Sequence, residues 1–111
     1  MNRERRRELS TASENLNRAI TSLRAGDGPK AMALLSNALQ IVEDCHADEE
    51  GGFHSLSEGL QATERGQHIE EAMGHLEEAR DGLEDVVKGK IALDDADLDE
   101  IDAFIVAAID C

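Results

Sequence analysis

Aromatic side chains are nearly absent from this chain: it has no Trp, no Tyr and only two Phe, Phe53 and Phe104. A core must therefore come from Leu, Ile, Val, Met and Ala. That mix suits helices better than sheets, and no run of alternating β-branched residues suggests a strand. The same scarcity counts against a site that stacks a nucleobase. Cysteine occurs twice, at Cys45 and Cys111. Two cysteines are expected to be reduced thiols in a cytoplasmic protein, with a single disulfide left open. No apolar stretch approaches the roughly 20 residues that cross a membrane. The charged opening, Met1 to Glu8, is not followed by an apolar secretion segment, so no signal peptide and no membrane partner are expected.

Basic residues are also scarce, with 11 Lys and Arg against 25 Asp and Glu, for a net charge of −14. The shortage is uneven. Residues 1–30 hold Arg3, Arg5, Arg6, Arg7, Arg18, Arg24 and Lys30 against Glu4, Glu8, Glu14 and Asp27, a local excess of positive charge. The remaining chain is strongly acidic. Such a surface repels the phosphates of nucleic acid and membrane, so no direct nucleic-acid contact is expected, and it attracts a basic partner. Solubility alone is the plainer reading of the same charge.

What is present is helical periodicity over a length that fits one domain, 1–111. Leu9, Leu16 and Leu23 recur every seven residues in a first helix over about 3–25, which Gly26 ends. Asp27-Gly28-Pro29 marks a boundary, with Asp27 or Gly28 as cap and Pro29 at the start of a helix over about 29–54. Gly51-Gly52 would ordinarily stop that helix. The apolar stripe runs through them in phase, however, as Val42, Cys45, Glu49, Phe53 and Leu56, so the helix is expected to continue to His54. Ser55 to Thr63 is a connector pinned by Leu56 and Leu60, with a short helical turn. Thr63 caps a third helix over about 64–88, which buries Ile69, Met73, Leu76, Leu83 and Val87. A shorter helix over about 95–110, capped by Asp95 or Asp97, carries Leu98, Ile101, Phe104, Ile105 and Ile109. The fold class is all-α: an antiparallel bundle of three long helices plus a shorter C-terminal one.

Two segments resemble known proteins. LRAGDGPKAMALLSNALQI (23–41) is similar to part of a tetratricopeptide hairpin. LSEGLQATERG (56–66) is similar to a segment L-P-E-S-L-Q-x-S-E-R-G in small acidic helical proteins of bacteriophage and prophage genomes, and as in those an E-E-A helix follows it, here at 70–79. The chain departs from the pattern at Ser57, Gly59 and Thr63. This resemblance implies a phage or prophage setting, hence the cytoplasm of a bacterial host, and no enzymatic activity.

Catalytic and metal motifs are present only in fragments. Glu43 and His46 give one E-x-x-H, where a di-iron bundle needs two plus further Glu. His68, Glu71 and His75 share a helix face but sit on its polar side. Asp95, Asp97 and Asp99 mimic the start of a calcium loop, which then fails at Glu100 and Val106. No cofactor, metal or catalytic residue is expected.

Three functions follow as expectations. The leading one is a non-enzymatic binding protein that docks on a host protein and inhibits it, with an acidic surface made of Glu70, Glu71, Glu77, Glu78, Asp81, Glu84, Asp85, Asp95, Asp97, Asp99 and Asp102. Carboxylates at i and i+4, about 6 Å apart along the axis, can mimic a nucleic acid, for example against a defence nuclease. The alternatives are a protein sequestering a signalling nucleotide through the basic start of the first helix with Arg65 and Arg80, and a structural adaptor. A homo-oligomer, most simply a dimer, is expected through Leu98, Ile101, Phe104, Ile105 and Ile109.

Overall fold

The computed structural model describes residues 1–111 and contains helices and turns only. Helix α1 spans Arg3–Arg24, α2 Gly28–His54, α3 Glu58–Gln61, α4 Glu64–Val87 and α5 Leu98–Asp110, with a single 3-10 turn at Leu93–Asp95 before α5. No helix is long and apolar enough to cross a membrane.

The ends are set by side chains that satisfy the first free amides of each helix. Asn2 accepts from the Arg5 amide, Asp27 from Lys30, Ser57 from Leu60, Thr63 from Gly66 and Asp97 from Glu100. Gly26 and Gly89 take a positive φ of 79° just past α1 and α4, the left-handed turn that closes a helix C-terminus. Gly51 and Gly52 lie inside α2, so the in-phase stripe outweighs their poor helix propensity.

Four long helices form a ring in which each packs on two neighbours: α1 on α2, α2 on α4, α4 on α5, and α5 back on α1. The seams repeat every seven residues. Leu9 and Leu16 line α1, Leu35 and Val42 line α2, Ile69, Leu76 and Leu83 line α4, and Leu98 and Ile105 line α5. Small residues fill the alternate seam positions, Ala12 and Ala19, Ala31 and Ala38, Ala72 and Ala79, and all are fully buried. Leucine on one helix thus meets alanine spacing on the next, and the backbones approach closely. Asn15 is buried and donates to the Asn37 side chain at 2.7 Å, a polar tie between α1 and α2.

Helix α5 has 13 residues against 24 in α4. At about 1.5 Å per residue it covers little more than half of the fourth corner. The bundle measures 51 × 26 × 18 Å, and its end at the α2–α3–α4 connector has no α5 beside it. Leu60, expected to pin that connector, is instead 53% exposed. The connector is held by polar contacts: Gln61 donates to the backbone oxygens of Phe53 and Leu56, both at 3.2 Å.

Candidate functional site

Two concave sites flank α4, one near each end. The first is a groove of about 420 Å³ between α4 and α5. Glu78, Asp81 and Asp85 stand on the α4 side, and Asp95, Asp97 and Glu100 on the other. The α4 positions 78, 81, 82 and 85, and the cap and α5 positions 97, 100, 101 and 104, both follow the i, i+3, i+4, i+7 spacing, so each side gives one continuous stripe. Between the rims lie Gly82, Val86, Ile91, Ala96, Ile101 and Phe104. Gly82 brings the helices together here: a Cβ on it would stand 2.8 Å from Ile101 Cγ1. The groove thus has an apolar floor and a carboxylate rim. Arg80 pairs with the rim residue Asp81 at 3.2 Å and with Glu77 at 3.7 Å.

The acidic residues expected to act together therefore separate. Glu78, Asp81, Asp85, Asp95 and Asp97 converge on the groove, although Asp97 also spends an oxygen on the α5 cap. Glu70 and Glu71 lie with Gln67 on an exposed depression toward the other end of α4. Glu77 is exposed, Glu84 pairs with Lys88 at 3.9 Å, and Asp99 faces solvent. Asp102 turns away from the groove toward α1, accepting from Ser13 Oγ at 2.6 Å and Asn17 Nδ2 at 3.3 Å, and so ties α5 to α1. Glu100 was missed; its place four residues before Phe104 on the groove stripe was the available signal.

The residues expected at an oligomer contact differ in exposure. Leu98, Ile101 and Ile105 are buried within the chain itself because α5 packs on α1 and α4 at once. Phe104 is half-buried at the groove, and on another face of α5 lie Val106, 42% exposed, and half-buried Ile109.

The second site is a cavity of about 310 Å³ where the seams of α1, α2 and α4 run out. Arg5, Glu49, Leu56, Arg65 and Ile69 line it. Glu49 is only 1% exposed and is held by Arg5 Nη1 at 2.5 Å. It stands seven residues after Val42, where the seam calls for an aliphatic side chain.

The thiols are quiet. Cys45 is buried and free of disulfide, and it donates to Glu8 Oε2 at 3.6 Å. Burial first, then the Glu8 carboxylate, pushes its pKa up to about 12. Cys111 is also free, and its pKa is raised by burial and then by Glu71. Both thiols therefore stay protonated at neutral pH. His68, Glu71 and His75 are not gathered into a ligand set. No family model matches the chain, and no curated protein or solved structure matches it.

Proposed function

We propose that this is a non-enzymatic binding protein whose α4/α5 groove takes a basic, amphipathic segment of a partner protein and thereby inhibits that partner. One observation carries the reading: six carboxylates ring an apolar floor in a single groove. Carboxylates spread for solubility alone would have no reason to share a rim around buried aliphatic groups. A Lys- or Arg-bearing helix satisfies both parts, its cations meeting the rim and its apolar stripe the floor. If the partner's basic surface normally holds nucleic acid, the rim competes with phosphate for it. The phage or prophage setting rests on the 56–66 resemblance.

The test uses a fluorescent amphipathic Leu/Lys peptide and anisotropy across a salt series. Binding is expected to weaken steeply as salt rises and to be lost in Glu78→Lys/Asp85→Lys/Glu100→Lys, while Glu70→Lys/Glu71→Lys, away from the groove, keeps most of it. Equal losses in the two variants would reduce the acidity to bulk charge and end the proposal.

A further inference from the structure

We infer that the cavity at the connector end of the bundle is a binding site for a small anion carried on a short aliphatic body, with Arg65 and Arg5 as its cationic contacts. This goes beyond the groove. Arg65 and Asp81 are sixteen positions apart in α4, so the two sites lie roughly 24 Å apart along that helix at about 1.5 Å per residue.

Three independent observations converge. The first is the breakdown of the seams. Down most of the bundle the seam positions of α1 and α2 are aliphatic, but at this end they become Arg5 and Glu49. An isolated buried carboxylate is costly, and replacing such a pair by aliphatic residues is usually no worse for stability. The pair is a poor choice if the end of the core is all it serves. Glu49 occupies Arg5 Nη1 at 2.5 Å, and exposed Asp48 stands 3.8 Å from Nε. Nη2 is left without a protein partner.

The second observation is Arg65. It lines the same cavity, is exposed, and has no carboxylate within ion-pair distance in a chain with 25 acidic residues. Among the side chains of the lining, Arg65 and Arg5 stand against the single acid Glu49. The overall charge of −14 opposes an anion. At physiological salt, however, its reach is about 8 Å, and the nearby start of α1 is itself rich in arginine.

The third is how the wall is held. Ser57 caps α3 and Thr63 caps α4, Gln61 ties down the end of α2, and Gly66 lies against the connector backbone so closely that a Cβ would stand 2.6 Å from the Leu60 oxygen. Those residues fix the turn. Arg65, between two of them in sequence, makes no contact that the turn needs, yet its place at the cavity is set by them.

The ligand class follows from shape and lining. A volume of about 310 Å³ is at the lower end of small-molecule pockets, which start near about 300 Å³. Leu56 and Ile69 offer aliphatic surface for a short chain. No aromatic ring lines the cavity, so a nucleobase has nothing to stack on, and the signalling-nucleotide expectation is narrowed to a simpler anion. A carboxylate and a phosphate ester share the chemistry that two guanidinium groups recognise.

Hexanoate, hexyl phosphate and hexylamine are titrated into the full chain, followed by amide chemical shifts. Saturable shifts confined to the amides around Asn2, Gly52, Leu56, Arg65 and Ile69 are expected with one or both anions, and none with the amine; which anion binds more tightly identifies the headgroup. Arg65→Gln, which keeps the stem and removes the charge at an exposed position, should weaken binding about tenfold, the loss of one charge-assisted contact. Leu56→Ser should weaken it as well, which covers the case of a variant that melts early. No saturation with either anion, equal binding of hexylamine, or full affinity in both variants would overturn the inference. None of these outcomes bears on the groove, whose peptide binding is read separately.

Discussion

One substitution, glycine to alanine, should change sign along this chain. Gly51 and Gly74 lie inside α2 and α4, and a Cβ at either meets nothing within 4 Å. Alanine there removes backbone freedom from the unfolded chain and introduces no clash, a gain of about 0.5–1 kcal/mol each. In a domain of about this size, 1 kcal/mol raises Tm by about 4 °C or slightly more. Gly66 is also helical, so propensity alone predicts the same gain. Its Cβ, however, would stand 2.6 Å from the Leu60 oxygen and closer still to that of Gln61, and both are backbone atoms that cannot rotate away. Either the connector shifts, losing the Gln61 and Thr63 hydrogen bonds, or α4 unwinds at its start. Overpacking of this kind costs about 1–3 kcal/mol, which exceeds the propensity gain. Far-UV circular dichroism melts and urea midpoints of the three single variants decide the matter. A Gly66→Ala protein as stable as the parent would mean that the connector does not cross α4 as described. A loss in Gly51→Ala or Gly74→Ala would mean that those faces are not open.

Removing Arg5 alone, as Arg5→Leu, strands the buried Glu49 and should cost about 3 kcal/mol, whereas Arg5→Leu/Glu49→Leu should recover most of that; a urea double-mutant cycle without coupling would contradict the buried pair. Cys45 has its pKa raised from 9.0 to about 12. Its contribution to stability is therefore complete below about pH 9 and fades as pH climbs toward 12, because the unfolded thiol ionises first. With no Tyr to titrate in that range, Cys45→Ala should lessen the alkaline decline in urea midpoint, leaving the part that Cys111 supplies, and an unchanged decline would refute the assignment. Sedimentation tests whether α5 also pairs two copies. With Val106 exposed and Ile109 half-buried outside the groove, association is expected only when salt screens the −14 charge, and a monomer at low and high salt alike would remove the dimer.

The helix ends were legible because they are local. Thr63 and Gly26 act on amides or carbonyls within a few positions and sit where the sequence put them, and of the paired candidates Asp27 or Gly28 and Asp95 or Asp97, the caps are Asp27 and Asp97. Helix α2 running through Gly51-Gly52 was legible for a related reason, since a stripe that keeps phase says which way the chain must continue. What periodicity cannot say is which neighbour covers a stripe. Ile101 and Ile105 read as surplus apolar surface because the sequence does not show that α5 reaches two helices at once. Asp102 read as one more surface acid because its partners, Ser13 and Asn17, lie more than eighty positions away. The groove floor has the same origin: Gly82 and Ile101 are unremarkable singly and form a site only as neighbours. Glu49 was different. It interrupts an aliphatic seam in plain view, and its meaning required knowing that Arg5 and Arg65 arrive at the same place.

The short fourth helix also sets an order of events. The α1–α2 and α2–α4 pairs are joined by short connections and can form as soon as their residues exist. Helix α5 has no such advantage on its α1 side. Its ties there, Asp102 to Ser13 and the Cys111 backbone oxygen to Arg6 Nη2, span 89 and 105 positions. Closing so long a loop costs only slightly more entropy than closing a shorter one, but the search is slower. The core is therefore complete only when α5 has found α1. Before then the bundle is open along one side, and the chain has a sticky face for as long as α5 is unplaced.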